Sequence, residues 1–252
     1  MNGKLRINQA KRRLRAGETV ICPGGSPISP SLVDLIGSFG FPAFRIDMEH
    51  GDVDYGDVPD LTRAADLWGM STLVRTTDPD RLYRLLDQGA LGVQIPHVSS
   101  AEQARAVVAA AKFHPQGARS IYSGRQSYGV SDYLARANEE TMVVVSIEDM
   151  EAVRALPAIL AVPGIDVFYV APKDLGQSLG YLDPLHPDVQ KILRETVATI
   201  VAAGRIAGTF SSPGQLREHS ALGIRFLCMN WTVWIQEGAR ATTRLAADLQ
   251  SR

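Results

Sequence analysis

The chain has few of the features that identify common functional classes. Only two of its 252 residues are cysteine, Cys22 and Cys228, and they lack the C-x-x-C spacing of zinc and redox motifs. No apolar run approaches the roughly 20 residues of a membrane span, and no apolar core of a signal peptide follows the basic N-terminal stretch. The net charge of -1 offers no basic excess for binding nucleic acid. We therefore expect a cytoplasmic protein without membrane or nucleic-acid partners.

Several well-known catalytic and binding motifs are also missing. Neither a G-x-x-x-x-G-K-[ST] loop nor a G-x-G-x-x-G turn after the first strand occurs, so a standard nucleotide loop has no support. H-E-x-x-H and G-x-S-x-G are absent, which argues against zinc peptidases and serine hydrolases. The segment from Asp52 to Asp57 has the acidic start of a calcium loop, but Arg63 occupies the position that needs glutamate.

The chain does contain short β-branched runs that alternate with segments of helical period. Alternation of this kind predicts a parallel sheet, and eight such units in about 250 residues match the size of a TIM barrel. We predict an α/β fold, a (β/α)8 barrel that forms one domain over residues 1–252, with a doubly wound sheet as the alternative. The predicted strands are Thr19-Pro23, Ala43-Asp47, Ser71-Thr76, Gly92-His97, Met142-Glu148, Asp166-Ala171, Arg205-Phe210 and Phe226-Trp231. The predicted helices include Asp57-Gly69, Asp78-Gly89, Ala101-Phe113, Asp149-Leu160, Pro187-Ala203 and Pro213-Leu222.

Ionisable residues follow three of the predicted strands. Asp47, Glu49 and His50 come at the end of the second strand, Glu148 at the end of the fifth, and Asp174 after the sixth. Because functional groups of a barrel cluster at the carboxyl ends of its strands, these side chains should meet at one rim. Two carboxylates on neighbouring strands can hold a hard divalent ion such as Mg²⁺ or Mn²⁺. Each could equally be a helix-capping acid.

Six sequence blocks, in order along the chain, resemble the signatures of the HpcH/HpaI class II pyruvate aldolases. The blocks are Asp47-x-Glu49-His50, Leu73-Val74-Arg75, Leu85 to Pro96 (Leu-Leu-Asp-x-Gly-Ala-x-Gly-Val-x-Ile-Pro), Pro115-x-Gly117-x-Arg119, Ile147-Glu148 and Pro172-x-Asp174-Leu175. The resemblance implies a metal-dependent TIM barrel that uses Mg²⁺, Mn²⁺ or Co²⁺. It also implies a homo-oligomer, typically a hexamer built as a trimer of dimers. Within the family the substrates are 4-hydroxy-2-oxoheptanedioate and 2-keto-3-deoxy sugar acids.

The same resemblance implies roles for individual residues. Glu148 and Asp174 match the metal ligands, and Arg75 matches the arginine that stabilises the enolate. His50 matches the catalytic histidine, and Asp87 matches the acid that raises its basicity. These roles suit the cleavage of a 4-hydroxy-2-oxo acid, in which negative charge grows on the keto oxygen and the C4 hydroxyl loses a proton. The products are an aldehyde and pyruvate or a close 2-oxo acid such as hydroxypyruvate.

Several residues depart from the family pattern or have less certain roles. Lys173 stands beside Asp174 where the family has alanine, and Ser146 replaces a glutamine two residues before Glu148; we expect both to contact substrate. Asp47, Glu49 and Arg119 are further candidates, although Arg119 could instead fasten a loop or a subunit interface. Met48 replaces a common glycine, and Asn230-Trp231-Thr232 replaces small residues followed by Asp.

We expect the remaining aromatic and histidine side chains to be structural. This set comprises Trp231 and Trp234, as core or interface aromatics, with His97, His114, His186 and His219.

Two other functions remain open from the sequence. One is a carbon-carbon lyase of the citrate lyase β-subunit or malyl-CoA type, although no basic segment for coenzyme A is evident. The other is a binding relative that kept the barrel and lost turnover, which the departures at Lys173 and Thr232 would explain. Retention of all five carried-over residues argues against the second.

Overall fold

The chain folds as a closed barrel of eight parallel strands, described for residues 4–250 by a computed structural model. Each strand pairs with the next in the chain, and β8 closes the barrel against β1. The predicted TIM barrel is therefore confirmed, and all eight predicted strands are present. They are β1 (Val20–Gly24), β2 (Ala43–Asp47), β3 (Ser71–Arg75), β4 (Gly92–Ile95), β5 (Met142–Ile147), β6 (Val167–Val170), β7 (Ala207–Phe210) and β8 (Phe226–Asn230).

The helices run back from the carboxyl end of one strand to the start of the next. All six predicted helices are present, although short 3₁₀ turns (Pro79–Arg81 and Pro213–Gln215) begin the predicted Asp78-Gly89 and Pro213-Leu222 segments. The described residues form α1 (Gln9–Arg15), α2 (Pro30–Gly37), α3 (Val58–Leu67), α4 (Leu82–Asp87), α5 (Ala101–Ala111), α6 (Tyr133–Glu140), α7 (Met150–Leu160), α8 (Pro172–Ser178), α9 (Pro187–Ala202), α10 (Leu216–Ala221) and α11 (Trp231–Gln250).

One end of the barrel is closed by α1. Ala10 and Leu14 of this helix belong to the same buried cluster as Val20 and Phe226, which begin the closing strands β1 and β8. The amino-terminal mouth is therefore plugged by apolar side chains, which leaves the opposite mouth, at the carboxyl ends of the strands, for function. Cys22 and Cys228 are buried register partners on β1 and β8, and both thiols are free.

The last helix, α11, is packed only at its start. Trp231 is buried and stacks on Phe44, while Trp234 is partly buried against the core and stacks on Phe41, with centroids 5.5 Å apart in each pair. Every residue at positions 235–249 is exposed. No helix among residues 4–250 has both the length and the apolar character that crossing a membrane requires.

Candidate active site

The ends of β2 and β3 present an acid and an arginine that bind each other. Asp47 and Arg75 are register partners, so their side chains leave the sheet side by side. Arg75 Nε donates to Asp47 Oδ1 at 2.9 Å, and Nη2 donates to Asp47 Oδ2. The third guanidinium nitrogen, Nη1, lies 3.0 Å from Glu49 Oε2. Two carboxylates therefore fix the plane and direction of the Arg75 fork.

The turn after β2 is organised by the Asp47 side chain. Asp47 Oδ1 accepts hydrogen bonds from the backbone N–H groups of Glu49, at 3.1 Å, and His50, at 3.3 Å. Although burial opposes ionisation, the hydrogen bond and charge of Arg75 hold the pKa of Asp47 below its usual value. The turn leaves the His50 ring 68% exposed at the rim, with Nε2 3.8 Å from Glu49 Oε2. His50 is therefore free to reach a ligand above the strand ends.

Glu148, directly after β5, is a buried acid that two other acids influence electrostatically. Only 4% of its side chain is exposed. Burial, together with the negative charges of Asp174 and Glu49, raises the pKa of Glu148 to about 7, although His97 acts in the opposite direction. The charges of Asp174, beyond β6, and of Glu49, in the turn after β2, therefore both act on Glu148. A positive charge near Glu148 would offset them.

Asp174 lies in the first turn of α8, directly beyond β6. Pro172 begins this helix, and Ser178 at its end accepts a hydrogen bond from Met150 N at 3.0 Å, which ties α8 to the chain just after Glu148. Asp174 is partly buried, and the neighbouring Lys173 is exposed. No ion pair or hydrogen bond of Lys173 occurs among residues 4–250, so its ammonium group is available to a ligand at the rim.

Ser146 is a residue of β5 inside the barrel, two residues before Glu148 in the chain. It is buried and accepts a hydrogen bond of 3.3 Å from Gln94 Nε2 on β4. Gln94 is the register partner of Arg75 and is also buried, and its Oε1 has no hydrogen-bond partner among the described residues. Sequence reasoning missed Gln94, although its position two residues before Pro96 on an alternating strand could have indicated an inward side chain.

Asp87 and Arg119 lie away from this cluster, so a single chain does not bring Asp87 to His50. Because α4 runs back from β3 toward the start of β4, Asp87 lies at the amino-terminal end of the barrel, where Leu91 N donates to Thr72 O at 2.9 Å. Asp87 Oδ1 instead accepts a hydrogen bond of 2.6 Å from Arg119, whose guanidinium packs 4.5 Å from the Phe113 ring centre. Arg119 therefore fastens a loop, and a contact between His50 and Asp87 requires two copies of the chain.

His97 was expected to be structural, and its contacts place it in the cluster. Its backbone N–H donates to Glu148 Oε1 at 2.6 Å, and its Nδ1 lies 3.1 Å from the same oxygen. The contacts of three other residues agree with the structural roles expected for them. His219 is buried with Nδ1 3.0 Å from Ser211 Oγ, His186 stacks on Tyr181, and Trp231 lies in the core. The signal for His97 was its place just beyond the carboxyl end of β4, two residues after Ile95.

The comparisons with known proteins agree on the family. The model of the HpcH/HpaI aldolase/citrate lyase family matches residues 27–222. The chain is 34% identical, over 88% of its length and 86% of the relative, to 2-keto-3-deoxy-L-rhamnonate aldolase of Klebsiella pneumoniae. It is 33% identical to hydroxypyruvate/pyruvate aldolase of Cupriavidus necator, over 97% of this chain and 93% of that one.

A solved structure gives the same result. A family protein from Burkholderia cenocepacia superposes with a TM-score of 0.89 at 29% identity, covering 95% of this chain and 99% of the other. Together with the carboxylates and the arginine at the strand ends, these matches assign both family and reaction class. The chain belongs to the HpcH/HpaI aldolase/citrate lyase family and is a carbon-carbon lyase of the aldolase type.

Proposed function

We propose that this protein is a metal-dependent class II aldolase that reversibly cleaves a 4-hydroxy-2-oxo acid into an aldehyde and pyruvate or a close 2-oxo acid. The observation that supports this function best is the buried Glu148 carboxylate, on which the charges of Asp174 and Glu49 act, together with the Arg75 guanidinium that Glu49 contacts. A carbanion-forming lyase needs positive charge at this position.

The donor set at the rim fits a hard divalent ion. Glu148 and Asp174 offer carboxylate oxygens, and burial, with a smaller contribution from the charges of Asp174 and Glu49, raises the pKa of Glu148, so an uncompensated negative charge is disfavoured there. No cluster of three or more His, Cys, Asp or Glu ligands occurs among the described residues, so two protein ligands would leave coordination places for substrate and water. Bound there, Mg²⁺, Mn²⁺ or Co²⁺ would act as a Lewis acid toward the keto oxygen.

Arg75 and His50 supply what the reaction needs from the protein itself. The Arg75 guanidinium, fixed by Asp47 and Glu49, places positive charge beside the oxygen on which negative charge grows. The His50 imidazole is exposed above the same strand ends and would accept the proton of the C4 hydroxyl. Glu49 is the carboxylate nearest to His50 within one chain. In the reverse direction His50 would return that proton to the alkoxide.

The residues around this core favour a substrate with an anionic tail. Lys173 is exposed beside Asp174 and has no partner among residues 4–250, so it can bind a second carboxylate, a phosphate or a sulfonate on the aldehyde portion. Ser146 is too far inside the barrel to bind that tail, and its hydroxyl is already held by Gln94. We assign Ser146 to the floor of the 2-oxo acid site.

A panel assay tests the proposed function. Candidate 4-hydroxy-2-oxo acids, with and without a terminal anionic group, are incubated with enzyme and Mg²⁺, Mn²⁺ or Co²⁺, and pyruvate release is measured. We expect EDTA to abolish cleavage and an added divalent ion to restore it. Full activity in EDTA, or trapping of a lysine adduct by borohydride, contradicts the metal-dependent mechanism and favours a Schiff base at Lys173.

A further inference from the structure

His97 makes two contacts with one oxygen of Glu148. The backbone N–H donates to Oε1 at 2.6 Å, and the ring nitrogen Nδ1 lies 3.1 Å from the same atom. Among residues 4–250 no hydrogen bond engages the other oxygen, Oε2. His97 therefore holds one carboxylate oxygen, Oε1, and leaves Oε2 available to another ligand.

The backbone of His97 has an uncommon conformation that makes both contacts possible. With φ at +54°, His97 is the only residue other than glycine in the left-handed region within the described part of the chain. Uncommon backbone conformations of this kind cluster at functional sites, where the surrounding structure maintains them. Here the amide and the ring of one residue converge on the same acceptor.

The segment around His97 is anchored on both sides. Pro96 and Val98 are buried, whereas the His97 ring is 65% exposed at the rim. Two residues later, Ser99 Oγ donates to Asp149 Oδ2 at 2.6 Å, so the β4 and β5 ends are joined at Glu148 and again at Asp149. The position of His97 is thus fixed independently of its contact with Glu148.

We propose that His97 is a positioning residue that holds the Glu148 carboxylate in one orientation, with Oε2 directed toward the divalent ion. This inference rests on the proposed function, because it needs an ion that binds Glu148. Residues that orient a metal ligand in this way affect metal affinity about 10- to 100-fold when they are replaced. His97 acts through Glu148 and does not itself contact the substrate.

Two substitutions separate the ring from the backbone. His97→Gly removes the ring and keeps the N–H, and glycine adopts a positive φ freely. His97→Asn also tolerates this conformation, and its amide nitrogen takes the place of Nδ1. We expect Mn²⁺ affinity, measured by electron paramagnetic resonance on the purified protein, to fall about 10-fold or more in His97→Gly. His97→Asn should recover most of that loss, and kcat of His97→Gly should approach the wild-type value at saturating Mn²⁺.

The outcomes distinguish this inference from the proposed function. Thermal midpoints verify that both variants are folded, and Glu148→Ala shows whether Mn²⁺ binds at this site. Wild-type protein that binds no Mn²⁺, or binds it equally well as Glu148→Ala, contradicts the proposed function and with it the role of His97. Wild-type affinity in His97→Gly, or equal weakness in His97→Asn and His97→Gly, contradicts the positioning role alone.

Discussion

Arg75 shows how a single side chain is prepared for charge that exists only during the reaction. Its guanidinium contacts Asp47 at the end of β2 and Glu49 in the turn that follows, so groups of the chain itself fix its direction. A group fixed in this way needs no reorientation when negative charge develops on the substrate, which is the source of electrostatic catalysis. A lysine at this position would carry the same charge on a flexible stem and could not bind both carboxylates in one plane.

Replacing Arg75 with lysine should therefore reduce turnover more than binding. We expect kcat of Arg75→Lys to fall about 10²-fold, the range for losing one transition-state donor, with a much smaller change in KM. Steady-state cleavage rates measure both values. Arg63→Lys is the matched control, since Arg63 forms an exposed ion pair with Asp60 on α3. Unchanged kcat in Arg75→Lys would show that Arg75 is only a structural cation of the rim.

The sequence indicated which acids lie at the carboxyl ends of the strands, but it did not indicate which side chains contact Asp87 and His97. Asp47, Glu49, Glu148 and Asp174 converge because parallel strands end at one edge, and that rule needs only the positions of the strands. The partner of Asp87 depends on the direction of α4, which carries it to the opposite end of the barrel. The contact of His97 depends on one left-handed backbone angle, which no residue pattern specifies.

At the scale of secondary-structure elements, the junction between α5 and β5 buries two lysines. Lys11 Nζ donates to Thr141 O at 2.6 Å and lies 3.1 Å from Asp166, while Lys112 Nζ donates to the carbonyl oxygens of Asn138 and Thr141. Burial, together with the nearby charge of Lys11, lowers the pKa of Lys112 to about 7. An unfolded chain would bind the Lys112 proton more tightly than the folded protein does.

This difference makes stability depend on pH in a predictable direction. Between the folded pKa of about 7 and the unfolded value of 10.5, the unfolded chain holds more protons, so stability rises as pH increases. Relative to Lys112→Met, wild-type protein should gain about 2 kcal/mol of unfolding free energy from pH 7 to pH 9. Urea denaturation at several pH values measures the gain. Lys191→Met, at an exposed position of α9, should follow wild type, and parallel curves for Lys112→Met would contradict the assignment.

The exposed part of α11 carries a stripe of apolar side chains. Ile235, Leu245 and Leu249 are each more than 60% exposed and fall on one stripe with Gly238 and Thr242, spaced alternately three and four residues apart. Spacing of this kind forms a seam between helices, and helical stability in proteins comes mostly from such packing. The homo-oligomer that the sequence resemblance implies needs an apolar surface of this kind, and we expect this stripe to form part of its interface.

Charge on the stripe should therefore dissociate the assembly. We expect wild-type protein to sediment as a homo-oligomer, with a hexamer as the expected size, and Leu245→Glu to sediment as a smaller species because it buries a charge at the interface. Analytical ultracentrifugation measures both. Ala247→Glu, on the opposite side of α11, is the control and should keep the wild-type size. Equal masses for all three proteins would exclude the stripe as the interface.

At the scale of the whole molecule, the two ends of the barrel carry different halves of the expected catalytic pair. His50 lies at the carboxyl ends of the strands, and Asp87 lies at the opposite end, bound to Arg119. If Asp87 supports His50, then it does so from another copy of the chain. Whether Asp87 supports His50 therefore depends on how copies of the chain assemble, and oligomers that mix two variants can test it.

Mixing two inactive variants should restore activity in such an assembly. His50→Ala and Asp87→Asn alone should each lose cleavage, by about 10²-fold for His50→Ala. In oligomers that combine both variants, about a quarter of the sites would receive an intact His50 from one copy and an intact Asp87 from another. Co-expression with two affinity tags and assay of the doubly purified protein tests this. No recovery in the mixed protein would leave Glu49, 3.8 Å from His50, as the supporting carboxylate.

The two free cysteines on β1 and β8 are natural chemical probes of local opening of the barrel. Cys22 and Cys228 are fully buried where β1 meets β8, in the apolar cluster that α1 covers, so a thiol reagent in solution can reach them only when this end of the barrel opens. With excess reagent, the rate of labelling then reports how often the barrel opens at the β1–β8 seam or beneath α1, much as amide hydrogen exchange reports local unfolding. Opening of the barrel near the β1–β8 pairing can thus be measured in the unmodified enzyme, without an engineered probe.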